Sequence, residues 1–122
     1  MIRDFTYVTD LVDCLVRIIN KAPKKDINFN KNNPDSSKSW APYKILNIGN
    51  SQPVKLLDYI KEIEENLGKK AIMNYLPMQP GDVPATFSDC TSLESFINYK
   101  PSTSIEEGIR KFITWYKEFY GK

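Results

Sequence analysis

The 122 residues contain no histidine. That absence removes serine–histidine and cysteine–histidine nucleophile pairs and the commonest zinc ligand sets, so no metal site is expected. Glycine is scarce, with five residues at positions 49, 68, 81, 108 and 121. None stands close to another, which leaves no Gly-rich loop to cradle a phosphate. None of the seven tyrosines is followed four positions later by lysine, and no catalytic residue is assigned. The two cysteines, Cys14 and Cys90, allow at most one bridge. Both fall in or beside helical patterns, and reduced packing cysteines in a cytoplasmic protein are expected. Long apolar runs are missing, so nothing reads as a bilayer span, and no basic-then-apolar leader marks export. Charge is nearly balanced, with 17 basic against 15 acidic residues and a net charge of +2. That balance gives no electrostatic footprint for nucleic acid or membrane.

What is present is a globular composition, 41% apolar and 12% aromatic. A chain of this length forms one domain or a piece of one and buries roughly two-thirds of its unfolded surface. Residues 3–8, with Phe5, Tyr7 and Val8, read as a short strand. Thr9 reads as the N-cap of a helix running to about Lys21, with Asp10 in its first turn. Asp10 and Asp13 are read there as capping and solvated carboxylates. Leu11, Val12, Leu15, Val16, Ile18 and Ile19 cover well over one face of that helix, which therefore expects neighbours on two sides. Residues 22–43 form a polar surface loop, long for a compact domain, with Trp40 and Tyr43 expected to pin its end.

Residues 44–50 read as a brief strand stopped by a turn. A helix follows Pro53 and ends at Gly68, with Leu56, Ile60, Ile63 and Leu67 as a core stripe. Residues 71–76 read as another strand. Thr91 with Glu94, and Ser104 with Glu107, are capping-box patterns that open two final helices. The order is α/β. Three short strands are a thin sheet for so many amphipathic helices, and a missing packing partner is the simplest explanation.

The most informative stretch is Met78-Gln79-Pro80-Gly81-Asp82-Val83-Pro84-Ala85-Thr86. Two prolines and a glycine stiffen and turn the backbone around one carboxylate, Asp82, and one amide, Gln79. A rigid loop with a few hydrogen-bonding groups suits a polar ligand. The plain alternative is a structural turn with an Asp cap.

Four segments occur in one order: residues 3–10 (Arg-Asp-Phe-Thr-Tyr-Val-Thr-Asp), 43–50, 76–86 and 101–108. Together they resemble the C-terminal third of NAD-dependent nucleotide-sugar epimerases of the extended short-chain dehydrogenase/reductase family, with the closest likeness to UDP-glucuronate 4-epimerases. The resemblance implies an α/β fold: residues 1–122 as a C-terminal substrate-binding portion without the Rossmann nucleotide-binding core. NAD and the Tyr-x-x-x-Lys pair then belong to the upstream domain, and this portion is itself non-catalytic. The resemblance also implies a cytoplasmic isomerase that inverts C4 of a UDP-hexuronate or UDP-hexose through a transient 4-keto intermediate, in polysaccharide precursor supply. Arg3 is implied to pair with the diphosphate, Asp82 to accept from ribose hydroxyls, and Gln79 to stand where many sugar epimerases carry a second arginine. Partners implied are the UDP-sugar and the missing Rossmann domain, and the exposed apolar surface is expected to drive self-association. The alternatives are the tail of a nucleotide-sugar dehydratase or decarboxylase, or a freestanding nucleotide-binding or interaction module without activity.

Overall fold

A computed structural model describes residues 1–121. Its elements run β1 (Ile2–Asp4), α1 (Val8–Ile19), β2 (Pro53–Lys55), α2 (Leu56–Leu67), α3 (Thr91–Ile97) and α4 (Ile105–Tyr120). Helix ends follow local chemistry closely. Gly68 takes φ 68° as the left-handed cap of α2, a conformation that costs a Cβ-bearing residue energy. Ser104 caps α4, its hydroxyl accepting from the Glu107 amide at 3.3 Å. The reciprocal half of that capping box is replaced, because the Glu107 carboxylate pairs with Lys111 at 2.7 Å. The other expected box does not form. Thr91 is the first helical residue of α3, and its amide donates to the Asp89 carboxylate at 3.0 Å. Helix α1 starts one residue before the expected cap, with Tyr7 at the N-cap and no side-chain cap bond.

The strands depart furthest from expectation. Residues 44–50 form no strand; their single pairing is an antiparallel bridge from Lys44 to Lys38. Residues 71–76 form none either and are exposed. Extended backbone becomes a strand when a neighbour takes up its N–H and C=O groups, and among the described residues the first stretch meets such a neighbour only at its start, near Ser37 and Lys38, while the second pairs in no ladder. The observed sheet pairs β1 with β2 antiparallel, Arg3 opposite Val54. On its other side β1 takes the end of the proline loop: the Ile2 amide donates to Pro84 O at 2.9 Å and the Thr86 amide to Ile2 O at 3.2 Å. Three separated segments thus meet on three residues.

The core is small. Cys14, Cys90, Leu93 and Ile97 are buried, with Ile18, Leu46, Ile48, Phe96 and Tyr99 packed around them. Both cysteines are free thiols in that cluster, as expected, and burial pushes the Cys14 thiol up from its ordinary value. The α2 stripe is half-buried rather than core, packed against α4, whose Ile109 and Ile113 are buried. Helix α1 turns inward a face different from its apolar one. Asp10, Cys14 and Ile18 face the chain, while Val12, Leu15, Val16 and Ile19 are 45–81% exposed. The accessible surface is 9296 Å², against roughly 6,700 Å² for a compact monomer of this mass. That excess is the size of an extensive interface.

Loop 22–43 carries turns and no helix or strand. Trp40 and Tyr43 are 68% and 45% exposed and do not pin it. Backbone bonds do, from the Asp26 amide to Ser39 O at 2.8 Å and from the Ile45 amide to Ser37 O at 3.0 Å. Among the described residues no helix is long and apolar enough to cross a membrane.

Candidate functional site

Residues 79–82 close a tight turn, the Asp82 amide donating to Gln79 O at 3.1 Å. Pro80 presets one central position and Gly81 supplies the other at φ 91°, the form of a type II turn. The turn is exposed, and it presents Asp82 toward β1. There the Arg3 guanidinium lies 3.6 Å from the Asp82 carboxylate. Arg3 Nη1 also donates to Val83 O at 2.8 Å and to Ile2 O at 2.9 Å. Two residues 79 positions apart, both singled out from sequence, are brought side by side. Gln79 sits at the start of the same turn, but its amide is folded back onto Pro77 O at 3.3 Å.

Arg3 does not pair with its sequence neighbour Asp4. Asp4 turns the other way and accepts three backbone amides: Ser51 at 3.1 Å, Gln52 at 3.3 Å and Ser88 at 3.0 Å. Its own amide donates to the Thr86 hydroxyl at 3.2 Å. One carboxylate therefore ties β1 to the turn after residue 48 and to the segment leaving the proline loop. Gly49 packs so closely there that a Cβ would overlap the Ser88 side chain. Nothing in the local pattern of Asp4 marks it for that role; the three amides it collects come from elsewhere in the chain.

The Arg3–Asp82 contact is longer than a hydrogen bond. The guanidinium side chain is 22% exposed and the carboxylate 43%, so both heads reach solvent. A planar fork of N–H donors beside an acceptor suits a ligand with phosphate oxygens next to hydroxyls. Beside it lies a cleft of about 650 Å³ whose lining includes Ile2, Lys55, Tyr75, Met78 and Pro84. Arg3, Gln79 and Asp82 do not line it, and Lys55 and Tyr75 escaped the sequence reading because they lie on segments read there as other elements.

Asp10 is a second correction. Read from sequence as a solvated capping group, it is 6% exposed. Its carboxylate accepts the Ser102 amide at 3.0 Å, the Thr103 amide at 2.9 Å and the Thr103 hydroxyl at 2.8 Å. Burial opposes its charge, yet these bonds and the Lys111 charge hold its pKa below the ordinary 3.8. No group of three or more metal-ligating side chains occurs among the described residues.

Residues 1–112 match the protein family described as GDP-mannose 4,6 dehydratase. The chain is 44% identical over its whole length to Protein CapI of Staphylococcus aureus. It is 41% identical over 98% of its length to a probable UDP-glucuronate 4-epimerase of Rhizobium meliloti. It spans 36% of each of these two relatives. In fold it is similar to the UDP-glucuronic acid 4-epimerase of Bacillus cereus in complex with UDP-glucuronic acid and NAD. That likeness has a TM-score of 0.72 at 26% identity and covers 98% of this chain and 33% of that one.

Proposed function

Because the chain belongs to the family described as GDP-mannose 4,6 dehydratase, as the C-terminal part of an extended short-chain dehydrogenase/reductase, we propose that it grips the nucleotide half of a UDP-sugar for an NAD-dependent epimerase. The complete protein would invert C4 of a UDP-hexuronate or UDP-hexose through a transient 4-keto intermediate. The observation that carries this reading is the meeting of Arg3 and Asp82 at the edge of the turn. In the proposal Arg3 holds a diphosphate oxygen pair, Asp82 accepts from the ribose, and Gln79 swings from Pro77 O to add one neutral donor. Binding energy placed on the nucleotide holds the sugar while its ring turns over.

NAD does not fit this chain's own residues. Their sheet is two antiparallel strands and their five glycines are scattered, whereas a dinucleotide needs a Gly-rich turn between a strand and a helix of a parallel sheet. Residues 1–122 in this proposal bind and orient, and the redox chemistry belongs to the rest of the protein.

In the full-length enzyme, Arg3→Ala is expected to raise the dissociation constant for UDP-glucuronate by about 10–100-fold, the worth of one charge-assisted bond. Calorimetry reads the loss, with UDP and free glucuronate as comparison ligands. Unchanged UDP affinity in that variant sinks the proposal. The apolar face of α1 adds a further expectation, that residues 1–122 alone self-associate through it. Light scattering across a broad concentration range checks this, and a clean monomer throughout counts against it.

A further inference from the structure

Four lysines converge on one concavity at the far end of α1. A cleft of about 320 Å³ is lined by Lys21, Lys24, Lys38 and Lys44, together with Asp26, Tyr43 and Phe96. That volume is in the range of small-ligand sites. Phe96 forms a fixed wall, since it packs against the buried cluster of α1 and α3. Two ammonium groups stand over its ring, Lys21 at 5.3 Å and Lys44 at 4.9 Å from the centroid. They are no farther apart than about one Debye length, roughly 8–10 Å at physiological salt, so they feel each other's charge.

Lys44 also faces Lys38 across the isolated antiparallel bridge, an arrangement in which like charges directly opposite destabilise. Two carboxylates are at hand to offset these four charges. Asp35 is taken by Lys38 at 3.2 Å, and Asp26 lines the cleft while its Oδ1 accepts the Asn28 amide. Lysines that serve solubility disperse; these converge on a rim held by backbone bonds.

We propose that this cleft binds a compact, multiply charged phosphoryl anion at a site separate from that of Arg3 and Asp82. The ammonium groups of Lys21 and Lys44 close on the anion beside Phe96, with Lys24 and Lys38 at the loop rim. Helix α1 separates the two places. It precedes Lys21 and follows Arg3, its 12 residues span roughly 18 Å, and none of Arg3, Gln79 and Asp82 lines the lysine cleft.

The test is calorimetric titration of inorganic pyrophosphate into the full-length protein, at low and at physiological salt. Saturable binding that weakens with salt is expected, reduced at least about tenfold by the pair Lys21→Gln and Lys44→Gln and retained in Arg3→Ala. Lys24→Gln, on the exposed loop, is the second variant should the pair disturb folding, which circular dichroism reads; it is expected to weaken binding as well. No saturable binding in the parent protein overturns the proposal. So does binding abolished by Arg3→Ala while the lysine variants keep it, since the anion then sits at the turn.

Discussion

Asp10→Ala is expected to lower the unfolding free energy by about 2–4 kcal/mol, because it leaves the part-buried Ser102 and Thr103 amides without their acceptor, at roughly 1–2 kcal/mol each, and removes a third bond. Single domains hold about 5–15 kcal/mol in total, so the variant keeps a fraction of its stability at neutral pH. Urea denaturation should show a midpoint lowered by about 1 M or more. Asp10→Asn, with one acceptor oxygen left, should fall between the two. The pH dependence carries a sign. The folded pKa lies below the ordinary 3.8, so the contribution of Asp10 is complete above that value and is lost as pH falls through the folded one. The gap between parent and Asp10→Ala should therefore narrow in acid. A gap equal at neutral pH and in strong acid would show that the charge is not what matters.

Leu93→Ala should cost about 3–4 kcal/mol, within the range for a leucine that leaves a cavity it cannot collapse. Leu93 is 0% exposed and is the largest fully buried side chain of the chain's main cluster. Its cluster draws on α1, α3 and the segment carrying Leu46 and Ile48, and with so small a core little is left to relax into the cavity. Leu93→Met keeps the volume and should lose less than about 1.5 kcal/mol. Thermal unfolding of the two variants side by side checks both figures. If methionine costs as much as alanine, shape at this position outweighs volume and the cavity argument fails.

Helix boundaries were close to legible. Gly68 ends α2 where its pattern says, Ser104 caps α4, and a short helix, α3, does open at Thr91, though without the expected capping box. Each of those signals acts within one turn of backbone, so the residues that make it are neighbours in sequence. The α1 stripe shows the limit. Its apolar residues are evident in the pattern, but the face that packs within this chain runs through Asp10, Cys14 and Ile18. An amphipathic period shows that a helix has faces and leaves open which of them is covered by the segments present.

By itself the amino-acid sequence determined the α/β class, the family, a backbone turn around Pro80-Gly81 and the candidates Arg3, Gln79 and Asp82. All of these rest on short-range patterns or on segments matched in order. Tertiary structure alone decided that β1 pairs with residues 53–55 and 84–86 and that residues 44–50 form no strand. It alone decided that Asp4 and Asp10 gather backbone amides from about 50 to 90 positions away, and that four lysines share one cleft. The physical reason is the same in each case: a carboxylate, an ammonium or an extended strand has its partner fixed by the folded path of the chain, and no local pattern names that partner in advance.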